Sequence, residues 1–367
     1  MAPTRLVAVL QLLLLAGCAL SADPGTSAAN GRIAYAQLAE GPGGVNIYSS
    51  MPDGSDVRQL TNNAAPPNAH PAWSPDGRRL AFSRESGGEW NVWTMDADGA
   101  GQRPLTAGPL IDIVPSFSPD GRYVVFDSTN ATTNLTTLVR VDAADGANRT
   151  PLIPADQAPA GASSMGPKVS PDGALLAFAS DAGNAPGVWD LWLMEGWLQV
   201  PGGPGVALRR LTTGANNSFS RSWSPDGSQL AFSSVQGGVS WVCIVRVDGT
   251  GQRCLTNSTG GPDGPFSPGG IFPTFDGDVT PGWSPDSARI AFCSNRGGAF
   301  EVYTMDAADG GSVQQVTATS TGQHISLGWQ PLPAGNSAAA TTATTVSVAQ
   351  QLLAALLASL ALGLLGA

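Results

Sequence analysis

The sequence predicts an all-β chain closed into a six-bladed β-propeller, and three observations predict it. The first is composition: 46 Gly and 29 Pro in 367 residues, with only 13% charged, suit short strands joined by tight turns and not a helical bundle. The second is a recurring phrase: WSPDG at 73, FSPDG at 117, VSPDG at 169, WSPDG at 223 and WSPDS at 283. The third is that each phrase heads the same ordered set of apolar segments, the signature of a repeat array.

Each element of the repeat has its own cause. An aromatic residue or Val closes a short first strand. In the Ser-Pro-Asp-Gly turn that follows, Pro fixes φ, Asp tolerates the next position and Gly supplies positive φ. A second strand then reads RRLAFS, RYVVFD, ALLAFA, SQLAFS and ARIAFC. A third reads WNVWTMD, TTLVRVD, WDLWLME, WVCIVRVD and FEVYTMD, and a turn containing DG leads in most copies to a last short strand such as RPLT or RCLT. These runs are rich in β-branched and aromatic residues and bounded by Gly, Pro and Asp, so each copy is a four-stranded antiparallel meander. Residues 31–61 carry the second, third and fourth strands without the phrase, and 327–333 carry a first strand and stop. Together they form a composite blade. The strand around Trp329 then joins the N-terminal blade, and the closed ring leaves no long free edge.

The pattern WSPDG…IAF…IY.MDADG…RLT resembles the TolB-type β-propeller with WD-like repeats, across roughly residues 31–333. Bacterial members of that family join the propeller to a small N-terminal α/β domain and have a periplasmic partner. Here about eight residues separate the leader from the first strand, so that domain is not expected and the partner is not carried over. The repeats are also similar to the propellers of prolyl oligopeptidase-like peptidases and of oligosaccharide lyases. The peptidases add a hydrolase domain marked by Gly-x-Ser-x-Gly, which the sequence lacks. The lyases rely on several histidines, whereas only His70 and His324 occur here.

Both ends read as processing signals. Residues 1–22 have one early Arg5, an apolar run and small residues, as a secretory signal peptide does. Leu15-Ala16-Gly17-Cys18 offers the alternative of a bacterial lipoprotein lipidated at Cys18. Residues 334–351 form an Ala/Thr-rich spacer and 352–367 an apolar tail, which together resemble a GPI attachment signal near Asn336. A plain transmembrane tail is the competing reading, although the tail is short for a span. Five sequons, at Asn130, Asn134, Asn148, Asn216 and Asn257, favour a glycosylated, exported chain. A net charge of −10 and a pI near 4.5 exclude a basic nucleic-acid footprint. Past the leader three cysteines remain. Cys243 and Cys254 flank a turn and face one another if the hairpin register holds, giving either a bridge with Cys293 left over or three buried thiols.

The five SPDG carboxylates read as turn formers, because a metal site needs carboxylates that converge on one point, while these are spread one to a blade. The inner strands carry the candidate site. Five residues before each anchor stand Asn68, Asp112, Ser164, Ser218, Asp278 and His324, all polar; four before stand Ala69, Ile113, Met165, Phe219, Val279 and Ile325, all apolar. Strand alternation assigns the apolar set to inter-blade packing and the polar set to the channel mouth as a ligand-binding ring. The long loop 257–282, with Phe266, Ile271, Phe272 and Phe275, and the insertion EGWLQVPGGPGVALRR of the fourth blade are candidate partner contacts or edge covers. The expected function is a non-catalytic, monomeric propeller without cofactor. It binds protein or glycan outside the cytoplasm and is tethered to a membrane. A carbohydrate-active enzyme using the polar ring is the alternative.

Overall fold

The structure is a computed structural model. It describes residues 30–331 apart from 39–43, 63–66, 155, 158–160, 199–205, 214–216, 260–275 and 320–322. The proposed leader, spacer and tail, Cys18, Asn216, Asn336 and the loop aromatics 266–275 lie outside the described residues.

Among the described residues twenty-four strands form six four-stranded antiparallel sheets. Blade two is typical: Asn68–Trp73 innermost, then Arg79–Ser86, Glu89–Asp96 and the short outer Arg103–Pro104. Blades three to six follow with inner strands Ile111–Phe117, Ser164–Val169, Asn217–Trp223 and Asp278–Trp283. Blade one is the composite: Gln323–Trp329 pairs with Ile33–Leu38, placing Ile33 opposite Trp329. Neighbouring inner strands touch all the way round, so the ring is closed.

The core lies between blades. Second strands alternate, so Leu80 and Phe82 face blade one while Ala81 faces blade three. The Phe of each second strand, Phe82, Phe126, Phe178, Phe232 and Phe292, is fully buried, with Tyr35 in its place in blade one. Each of the six seams holds one apolar cluster.

The SPDG turns form as a repeated unit. In blade two Ser74 Oγ donates to Asp76 Oδ1 at 2.6 Å and accepts from Arg79 N at 2.9 Å, while Asp76 Oδ1 also accepts from Arg78 N at 3.1 Å. The same triad recurs at Ser118, Ser170, Ser224 and Ser284. The closing residue is left-handed even where it is not Gly: Ser287 has φ 63° against 66° for Gly77.

Each inner strand also bulges, which simple alternation does not foresee. In blades two, three and six the residue three before the anchor is left-handed: His70 at 54°, Val114 at 56° and Thr280 at 54°, with Gly166 at 60° in blade four. Their N–H groups donate to the preceding blade, at Ser326 Oγ, Ser83 Oγ, Ser233 Oγ and Asp127 Oδ1 respectively. A bulge changes which side the following residues face.

Candidate functional site

The six polar residues of the inner strands do form a ring, but their side chains are buried and none exceeds 5% exposure. Asn68 donates to Val45 O of blade one at 3.2 Å and accepts from Arg84 Nε at 2.7 Å. Asp112 takes a two-pronged bond from Arg149, at 2.7 and 2.8 Å. Ser164 donates to Ser180 Oγ, and the Ser218 N–H to Trp189 O. Asp278 accepts from Arg296 at 2.9 Å. His324 Nδ1 lies 3.0 Å from Phe300 O and 3.1 Å from Glu301 Oε2 of blade six. The alternation that would turn this set toward the mouth is therefore not the geometry found. The bulge lies just beyond these residues, and before it they sit within and between blades. Of the apolar set, Ala69 and Val279 are buried, whereas Ile113, Met165 and Phe219 are only half-buried.

The arginines that meet the ring share one design. Arg84, Arg149 and Arg296 lie over the buried Phe of their own blades, 5.0 Å from Phe82, 5.2 Å from Phe126 and 5.0 Å from Phe292. Each ends on a ring residue, giving a cation–π contact and a hydrogen bond in one side chain. Arg84 and Arg296 follow the AFS and AFCSN stretches closely and could be found from the repeat. Arg149 comes from the turn before the outer strand and could not.

Two groups near the axis were not singled out by sequence. Lys168, the only lysine of the chain, is half-buried on the inner strand of blade four. Burial, and then the Lys168 charge, push the His70 imidazole down to about 3, so His70 is neutral at physiological pH. Among the described residues no group of three or more His, Cys, Asp or Glu is arranged to hold a metal ion.

On the SPDG face a cavity of about 660 Å³ opens between the turns of blades two and three and Gln330. Gln330 Nε2 donates to Gly77 O at 2.8 Å and fixes one wall. Arg79 lies in the cavity lining with its guanidinium 5.7 Å from the Phe117 ring centre. The same position in blade six, Arg289, is bonded to Asp306, Thr304 and Ser312 O. Among the described residues Arg79 makes no such bonds; its charge and that of exposed Arg78 act on Asp76, which lines the same cavity.

Cys243 and Cys254 face one another across the third and outer strands of blade five and are disulfide-bonded. Cys293 is a free buried thiol, pushed up to about 12 chiefly by burial. The sequon residues Asn130, Asn134, Asn148 and Asn257 are exposed.

With this geometry in place, the family can be stated. The model of the TolB β-propeller domain matches residues 11–188 and 129–349. The chain belongs to that family of six-bladed, all-β propellers. An uncharacterized protein of Agrobacterium fabrum is 29% identical over 187 residues, 51% of this chain and 60% of that protein. The Tol-Pal system protein TolB of Anaeromyxobacter dehalogenans is 49% identical over 45 residues, 12% of this chain and 10% of that one. The matches thus cover less than two thirds of either relative. The crystal structure of TolB from Acinetobacter baumannii superposes with a TM-score of 0.65 at 20% identity, over 85% of this chain and 69% of that one. An oligogalacturonate lyase in complex with manganese shares the fold at a TM-score of 0.50 and 15% identity, over 81% and 76%.

Proposed function

We propose that this chain is a non-catalytic, protein-binding propeller of an envelope or extracellular compartment, exported by its leader and held at a membrane by a lipid anchor or apolar tail. It takes an extended, polar segment of its partner into the cleft on the SPDG face. One observation carries the reading: a cavity of about 660 Å³ whose walls are hydrogen-bonded turns and whose lining brings Arg78 and Arg79 together with Asp76 and Asp120. Rigid walls lower the entropy lost on binding, and arginine forks suit carboxylates. Membership of the TolB propeller family supports a protein as the partner. The test is a photo-reactive amino acid at Arg78, compared in intact cells with the same probe at Glu89 on the opposite face. Adducts formed from the cleft and lost in Arg79→Glu are expected; equal labelling from both faces would overturn the reading.

A carbohydrate-active enzyme is the second reading, because Asp112 and Asp278 are carboxylates near the channel and a lyase shares the fold. Both are committed to arginines, which favours a structural role. Turnover on a panel of pectin, chitin and peptides that disappears in Asp112→Asn or Asp278→Asn, with the fold intact, would establish catalysis instead.

A further inference from the structure

Among the described residues, the seam between blades three and four holds a charge with no counterion. Arg140, on the third strand of blade three (Leu135–Asp142), is only 8% exposed. Its Nη1 is buried and, among the described residues, has no hydrogen-bond partner. Arg84, equally buried at 8%, shows the ordinary arrangement, with its guanidinium bonded to Asn68 Oδ1 at 2.7 Å and Gln102 Oε1 at 2.6 Å. Arg140 instead lies 4.9 Å from the centre of the Tyr123 ring. A second guanidinium, that of exposed Arg122, lies 5.5 Å from the same ring centre. The ring is braced by the edge of Trp197, with 6.4 Å between centres, and Trp197 Nε1 donates to Gly173 O.

Among the described residues no ion pair involves Arg122 or Arg140. The Arg122 charge acts on Asp120, but among the described residues neither nearby acid accepts a bond from Arg140. Asp120 accepts from the Ser118 hydroxyl and the Arg122 N–H, and Asp142 from Asn148 Nδ2. Nor is the chain short of acids, with 28 Asp and Glu. A buried charge without a counterion is costly, and guanidinium forks select oxyanions. A buried guanidinium and an exposed one at the same tyrosine ring match a dianion better than a single carboxylate.

We propose that Arg140, with Arg122 at the same Tyr123 ring, binds a dianionic oxyanion, a phosphate or sulfate group, at this seam. Arg122 stands at the exposed entrance beside the SPDG turn of blade three, and Arg140 supplies the desolvated inner donors. Arg140, Tyr123 and Trp197 do not line the cleft assigned to the protein partner, whereas Arg122 adjoins Asp120 and Gly121, which do.

The test follows melting temperature in millimolar inorganic phosphate, sulfate, acetate and chloride at matched ionic strength. Low concentrations avoid the general stabilisation produced by excluded salts. A saturable rise with phosphate or sulfate but not with acetate or chloride is expected. The rise disappears in Arg140→Met, and Arg122→Ala weakens the apparent affinity at least tenfold. In the absence of oxyanion Arg140→Met melts no lower than the wild type, because it removes an uncompensated charge. A wild type that melts alike in all four anions, a response to acetate equal to that to phosphate, or a response that persists in Arg140→Met would overturn the site. If Arg140→Met fails to fold, unaltered affinity in Arg122→Ala overturns it.

Discussion

Ser224 donates one hydrogen bond and accepts another, and its backbone N–H makes a third, all within one turn. Ser224→Ala removes the two side-chain bonds and leaves Asp226 with fewer donors. A loss of about 1–2 kcal/mol is expected in urea unfolding. Asp76, Asp172 and Asp226 are held below the usual carboxylate range first by the serine hydroxyl, and Asp120 by serine and backbone donors that outweigh burial. This turn chemistry was legible because Pro, Asp and Gly each leave a local signature. The facing of Asn68 and its counterparts was not. It depends on left-handed bulges held by His70, Val114 and Thr280, residue types that carry no such signature. Their cost is met by bonds to the preceding blade, which one strand read alone does not reveal.

Between elements, contact is closest where the turn joining third and outer strands meets the preceding blade. At Gly146, φ is 77° and an added Cβ would lie 1.9 Å from Leu105 O. Gly54, Gly99 and Gly310 sit likewise, against Val316, Leu60 and Leu255. The DG pair that reads as a hairpin signal is thus also an inter-blade contact. Gly146→Ala is expected to cost at least about 2 kcal/mol, from both strain and collision, measured as a lower urea midpoint. The disulfide of blade five acts within one sheet. Cys254→Ser, which opens a loop of sequence separation 11, should cost about 2–3 kcal/mol by loop entropy. Under reducing conditions the wild type should approach the variant's melting temperature. The hairpin register made this pairing legible, whereas the Arg149 reach to Asp112 needed the fold.

The whole molecule depends on closure between blades six and one. There Glu301 accepts from Thr319 N at 2.7 Å, pairs with Thr317 Oγ1 and faces His324 Nδ1. Burial raises the Glu301 carboxyl, but the His324, Thr317 and Thr319 bonds outweigh it and hold it below its ordinary 4.5. The group therefore adds stability above that value and loses it as pH falls through the lower folded value. Urea midpoints taken from about pH 6 down to about pH 3 should fall less steeply in Glu301→Gln than in the wild type. An unchanged slope would mean that closure does not depend on this carboxylate. Six blades and their closing strand were legible because the repeat phrase sets the count; the polar chemistry of closure was not, since Glu301 and His324 meet only once the ring is shut.

The composite blade has a further consequence. Gln330 N donates to Arg32 O at 2.7 Å, and Arg32 N to Gln330 Oε1 at 3.0 Å, so the chain enters and leaves the ring at one place on the SPDG face. The order of the blades along the chain is then arbitrary with respect to the folded ring. A circular permutant, with residues 30 and 331 joined by a short linker and new ends cut between blades five and six, would keep all six seams. It would also move the entry and exit of the chain away from the Gln330 wall of the cleft, separating what the ring needs in order to close from what the cleft needs in order to bind.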